Sequence, residues 1–133
     1  MQQPKVAVVI IHWNRRNLLE QFLPFLVKST YSNLEIVVAD NNSDDDSVAF
    51  VKANYPNITI VKNDYNYGYA GGYNHALKHL TADYFVLLNN DIEVTPNWIE
   101  PIIEAMEKDK TIAAAQPKMM DFNNRHKFEY AGA

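Results

Sequence analysis

The feature that most constrains the fold is a pair of short apolar runs with no polar alternation, the first apolar at every position and the second ending in an aspartate. Residues 6–11 read VAVVII, and residues 35–40 read EIVVAD. A strand with one wet face alternates polar and apolar residues. A β-branched run apolar at every position fits a strand buried on both faces. Such strands need helices above and below, so the segments between them should be helical. They are: in NRRNLLEQFLPFLVKS, Leu18, Leu19, Phe22, Leu23 and Leu26 recur at helical spacing. Asn14 or Asn17 is the expected cap, and Pro24 is expected to kink or end the helix early.

The alternation continues along the chain. SVAFVKANY reads as a helix, started by Ser43 or by an aspartate among 44–46 and stopped by Pro56. ITIVKN is a third strand. DYNYGYAGGYN is a glycine-rich loop leading into the helix YNHALKHL. YFVLLN is a fourth strand, NWIEPIIEAMEKD a helix, and IAAAQPKM a weaker fifth strand. Strands alternating with helices predict an α/β domain whose mostly parallel sheet is covered on both faces. At 133 residues the chain is expected to form one domain.

Composition narrows the function. Twelve basic residues against 16 acidic ones give a net charge of −4, which argues against a general nucleic-acid binder. Cysteine is absent, so disulfides and cysteine zinc sites are excluded, and an intracellular setting is compatible. No apolar run approaches the roughly 20 residues of a membrane-spanning helix. The N-terminus has no cleavage-site pattern, so no signal peptide is expected.

In open parallel sheets, ligands bind beyond the carboxyl ends of the strands. Four polar clusters fall there: His12-Trp13-Asn14, Asp40-Asn41-Asn42, residues 63–74, and Asn89-Asn90-Asp91. Each has two readings. Asp40 either caps the following helix or accepts from a base N–H or ribose hydroxyls, with Asn41 and Asn42 adding amide groups. Gly68, Gly71 and Gly72 form either a flexible turn or a close approach of backbone amides to an anion. Tyr65, Tyr67, Tyr69 and Tyr73 either pack in the core or stack on a base or sugar. Asn89-Asn90-Asp91 is either a strand-end turn or a metal-diphosphate site, in which one carboxylate suffices if phosphates supply the other oxygens. The dinucleotide fingerprint and the P-loop are both absent. The four histidines have no metal-ligand spacing.

Taken in order, VAVVIIHWNRRNLLEQFLPFL, NLEIVVADNNSDDDS, NYGYAGGYNHAL and DYFVLLNNDIEVTPNWIE resemble the N-terminal half of family 2 inverting glycosyltransferases, in particular the rhamnosyltransferase-like branch that builds bacterial surface polysaccharides. The resemblance covers nearly the whole chain. It implies a GT-A fold, a Rossmann-like nucleotide-binding half, and a nucleotide-diphosphate-sugar donor held with Mg²⁺ or Mn²⁺. It implies that His12, Trp13 and Asn14 line the nucleotide pocket and that Asp40 recognises the base, with Asn42 and Ser43 in the adjoining loop. Asn66, Gly68 and Gly72 match a segment facing the nucleotide and diphosphate. Asn89-Asn90-Asp91 matches the D-x-D element, with Asp91 as metal ligand and Asn89 departing from the commoner aspartate.

The resemblance also implies what is missing. The family's catalytic base lies in a C-terminal half, and nothing after Asp91 matches it; Asp121 and Glu129 are in the wrong context. Residues 1–133 are therefore expected to be the donor-binding part of a longer enzyme, which transfers sugar to a saccharide or lipid-linked acceptor. The expected location is cytoplasmic, or peripheral at the inner face of the membrane for a full-length enzyme. The alternatives are a non-catalytic nucleotide-sugar-binding module and, ranked lower, a nucleotidyltransferase.

Overall fold

The computed structural model describes residues 3–130. The strands are β1 (Val6–His12), β2 (Leu34–Asp40), β3 (Thr59–Lys62) and β4 (Tyr84–Leu88), and the helices are α1 (Arg16–Leu26), α2 (Ser47–Asn54), α3 (Gly68–Leu77) and α4 (Glu100–Lys108). The strands form one sheet in the order β3-β2-β1-β4, parallel throughout. β1 is the central strand, with Val9 opposite Val37 on one side and Leu87 on the other.

The apolar run of β1 is buried on both faces, as its sequence requires. Val6, Val8 and Ile10 face a core with Leu19, Leu23 and Leu26 of α1, Val51 of α2 and Ile103 of α4. Ala7 and Val9 face the opposite way, with Val37, Ala39 and the α3 residues Tyr73 and Ala76. Burying each such Val or Leu is worth about 1.5–3 kcal/mol. The small residues Ala7, Ala39 and Ala76 let α3 lie close on its face.

Several boundaries differ from the sequence expectation. Neither Asn14 nor Asn17 caps α1. The cap position is Arg15, with no side-chain cap bond, because Asn14 takes a left-handed φ of +49° and turns its side chain to another loop. α1 runs past Pro24 to Leu26 because its buried leucines hold the last turn. α2 agrees with the expectation: it starts at Ser47 after Asp46, and the Ser47 amide donates to Asp45 Oδ1. α3 starts at Gly68, so the glycine-rich segment is the first turns of a helix and not a loop before it. α4 starts only at Glu100.

The expected fifth strand is absent from residues 112–118. Met119–Met120 (β5) and Phe128–Tyr130 (β6) instead form a separate antiparallel pair. Residues 113–118 are exposed, so no buried face rewards strand formation there. β4 is thus an edge strand, and its α3-side residues Phe85 and Leu87 are 39% and 51% exposed.

Candidate functional site

The strand order reverses between β1 and β4: the chain runs outward from β1 through β2 to β3, then returns to the other side of β1. That is the switch point at which a parallel sheet opens a crevice. The buried polar side chains gather beside it. They are His12, Asp40, Asn41, Ser43, Ser47 and Asn63, all at carboxyl ends of strands or in the segments that follow. A buried polar group costs stability unless it is bonded, so such a concentration at one end needs a bonded network.

His12 ends β1 and joins two elements. Its Nε2 lies 2.9 Å from Ser47 Oγ at the start of α2, and its Nδ1 lies 3.1 Å from Asn90 Nδ2 after β4. Burial lowers its pKa below the ordinary histidine value, against the opposing influence of Asp40 and Asp45. Asn14 binds the acidic loop: its amide donates to Ser43 Oγ at 2.9 Å, and its Oδ1 accepts from Asp44 and Asp45 amides at 2.8 and 3.2 Å. Trp13, between them, is exposed.

Asp40 ends β2 and is fully buried. Its Oδ2 accepts from the Ser43 amide at 2.9 Å, the loop-stabilising bond of a capping aspartate. Its Oδ1 is buried with no partner among the described residues. Both readings of this residue therefore find an oxygen: one is spent on the loop, and one remains to accept. Asn42 is exposed at a φ of +63°. Asn41 is not available to a base edge. It is buried, and its Nδ2 donates to Gly68 O at 2.8 Å.

Asn66 Oδ1 accepts from the Gly68 amide at 2.9 Å and so fixes the entry to α3. Gly68 has a φ of +76°, open to solvent, where a side chain would be strained. Gly72 is different. A Cβ there would meet Ile11 at 2.5 Å and the Asn41 amide at 2.6 Å, so this glycine lets α3 press against the strand ends. Tyr73 is core, donating its hydroxyl to Leu88 O at 3.0 Å, and Tyr67 is stacked on His75 at 3.6 Å. Of the four tyrosines considered for stacking on a ligand, Tyr65 and Tyr69 are the exposed ones.

Asn90 and Asp91 form a turn after β4. Asn89 and Asp91 are exposed and Asn90 is half-buried. Among the described residues, no group of three or more histidine, cysteine, aspartate or glutamate side chains converges to hold a metal. The turn after β4 offers the exposed carboxylate of Asp91. This suits a hard divalent cation that draws its other oxygens from water and phosphate, and does not suit an all-protein cage.

The structure brings His12, Asn14, Asp40, Ser43 and Asn90 into linked bonds at one end of the sheet, and joins Asn89 to α3 through Tyr69. Sequence reasoning missed the parts of Ser47 and Asn63. Both are polar residues at element ends, and only the packed structure reveals that they are buried.

The model of the family Glycosyl transferase family 2 matches residues 7–131. An uncharacterized glycosyltransferase of Haemophilus influenzae is 29% identical over 114 residues, covering 84% of this chain and 35% of the relative. The UDP-Glc:alpha-D-GlcNAc-diphosphoundecaprenol beta-1,3-glucosyltransferase WfaP of Escherichia coli is 30% identical over 106 residues, covering 79% of this chain and 42% of the relative. The chain thus spans well under half the length of these relatives. Among solved structures, S. aureus TarS superposes with a TM-score of 0.70 at 18% identity, covering 87% of this chain and 24% of that one. The mannosyltransferase PcManGT of Pyrobaculum calidifontis, in complex with GDP-Man and Mn²⁺, superposes with 0.68 at 24% identity, covering 90% and 35%. The fold is the α/β GT-A type, a parallel sheet with helices on both faces.

Proposed function

The chain belongs to glycosyl transferase family 2, and from that premise we propose that it is the donor-binding part of a longer, inverting, metal-dependent glycosyltransferase. Its donor is a nucleotide-diphosphate-sugar, and its acceptor a saccharide or a lipid-linked saccharide in cell-surface polysaccharide synthesis. The observation that carries this reading is the buried, partnerless Oδ1 of Asp40 within the polar network at the β1–β4 switch point. An oxygen left so in a folded core is costly unless a ligand donor reaches it.

In this reading Asp40 Oδ1 accepts from the nucleoside, beside the loop residues Trp13, Asn42 and Ser43. His12 and Asn14 hold the walls of the pocket. The start of α3, with Asn66, Gly68 and Gly72, faces the nucleotide and diphosphate, where the helix N-terminus favours negative charge. Asn89 and Asn90 face the ribose hydroxyls, and Asp91 is the protein ligand of the cation. Bound there, Mg²⁺ or Mn²⁺ supplies Lewis-acid stabilisation of the leaving diphosphate.

Transfer is a single in-line displacement. The acceptor oxygen bonds to the anomeric carbon as the carbon–oxygen bond to phosphate breaks. The bonding pair leaves with the nucleoside diphosphate, and the acceptor proton passes to a carboxylate outside these 133 residues. The Asn89-Asn90-Asp91 turn supports the rhamnosyltransferase-like branch. The bare edge of β4, with exposed Phe85 and Leu87, supports a longer enzyme whose further chain covers them.

Two curated relatives carry diphosphoundecaprenol or PP-undecaprenol acceptors in their names. No helix among the described residues is long and apolar enough to cross a membrane. Those acceptor names support a cytoplasmic domain that works at the inner membrane face. A thermal-shift screen of UDP, GDP and dTDP and their sugars, with and without Mn²⁺, tests the reading. One nucleotide should stabilise the chain, and more so with metal. No stabilisation by any of them overturns it. Transfer assays on this chain and on an extended one separate the donor-binding part of an enzyme from a non-catalytic binding module.

A further inference from the structure

We propose that Asn63 and Asn41 are positioning residues that set the first turn of α3 against the strand ends and thereby tune recognition of the diphosphate. This deepens the donor-site reading and rests on it. The main-chain ladder runs one step past the strands: the Asn41 amide donates to His12 O, and the Asn63 amide to Asp40 O, both at 2.8 Å. The side chains then climb from the sheet to the helix. Asn63 Nδ2 donates to Asn41 Oδ1 at 2.9 Å and to Gly72 O at 3.2 Å, and Asn41 Nδ2 donates to Gly68 O at 2.8 Å.

Donor and acceptor roles are unambiguous along this path. Gly68 O and Gly72 O can only accept, so each asparagine must present its NH₂ toward α3. Asn41 Oδ1 is then left facing Asn63, which supplies a hydrogen. Both side chains are nearly fully buried, so water does not substitute for them. The tight fit at Gly72 shows that the helix sits at contact distance from Asn41. The same strand end carries Asp40, whose Oδ1 lacks a partner. One rigid unit thus holds the nucleoside acceptor, Asp40, and the amides of α3.

The geometry separates two parts of the ligand. Asp40 is held by β2 and Ser43, independent of Asn63's side chain. The first turn of α3 is held by the two asparagines. Loosening them should weaken binding of the diphosphate and leave the nucleoside nearly untouched. A residue needed only for folding would weaken both alike.

The test uses the 133-residue chain with Asn63→Ser or Gly72→Ala. The second leaves both asparagines unsubstituted and drives a Cβ into the Asn41 amide and Ile11, so it disturbs the same joint from the helix side. Calorimetric affinities are measured for UDP, GDP and dTDP and for uridine, guanosine and thymidine, with circular dichroism as the check of fold. For the best-bound nucleotide, either variant should lose roughly tenfold in diphosphate affinity, with nucleoside affinity changed less than about twofold. Equal loss for nucleoside and diphosphate, loss of the fold in both variants, or no loss overturns the assignment while leaving the donor site standing. Failure of the unaltered chain to bind any of the six overturns the donor-site reading and this assignment with it.

Discussion

The hydroxyl of Tyr69 donates to Oδ1 of Asn89 at 2.7 Å, so the first turn of α3 is tied to the turn carrying Asp91. The bond occupies the side chain at the position where an aspartate is commoner. In the proposed metal site Asn89 then adds no charge beside the cation, and one of its lone pairs is already engaged.

From this, Mn²⁺ should bind weakly without nucleotide and tightly with it. Asn89→Asp should strengthen the nucleotide-free binding several-fold, since an added carboxylate near a cation is worth about 1 kcal/mol or more at short range. Tyr69→Phe should leave stability within about 0.5 kcal/mol, because the bond is exposed. It should weaken the joint binding of nucleoside diphosphate and metal. Calorimetric titration checks all three. Tight, nucleotide-independent Mn²⁺ binding by the unaltered chain would sink this account of Asn89.

Asp91→Ala should remove the Mn²⁺-dependent increment of nucleotide stabilisation in thermal shift while keeping the metal-independent part. Asp91 is exposed in a turn, so its removal should shift the unfolding midpoint little without ligand. In the longer enzyme proposed above, the same substitution should abolish turnover. Unchanged turnover there rejects Asp91 as the metal ligand.

How much of this was legible beforehand follows from what sequence periodicity encodes. VAVVII announced a strand buried on both faces because every side chain in it is apolar, and the IVVA core of EIVVAD announced a second beside it. The positions of Asp40 and Asn90 followed from strand order alone. The start of α3 was not legible. Glycine propensity argues for a loop at 68–72, and the tertiary approach of Gly72 to Asn41 and Ile11 overrides it. IAAAQPKM reads as a strand by composition, yet its residues 113–118 are exposed and only Ile112 and Met119 at its ends are half-buried. The roles of Asn41 and Asn63 were hidden for a related reason. An asparagine after a strand reads the same whether it faces solvent or a helix carbonyl.

His12 gives stability a sign with pH. Burial lowers its folded pKa below the unfolded value of 6.5. Between the two values the unfolded chain binds a proton that the folded chain refuses, so stability rises with pH there. The contribution is complete above pH 6.5 and is lost as pH falls through the folded pKa. Asp40 and Asp45 oppose burial and so narrow the window. Urea unfolding across pH 5–7.5 should show this slope, and His12→Gln, which cannot titrate, should flatten it. An unchanged slope in that variant would assign the pH dependence to other groups.

Phe85 and Leu87 lie on the uncovered face of β4, whose outer edge pairs with no strand among the described residues and is a template for association with another chain. If further chain covers this face, the same two substitutions should act oppositely in two contexts. In the 133-residue chain, Phe85→Lys with Leu87→Thr should reduce concentration-dependent self-association in sedimentation velocity and cost little stability. In the longer enzyme, where both side chains would be buried, the pair should cost about 2–5 kcal/mol and lower the denaturant midpoint. Equal, small effects in both contexts would mean that the face stays bare, and the reading of this chain as one part of a longer fold would lose its structural support.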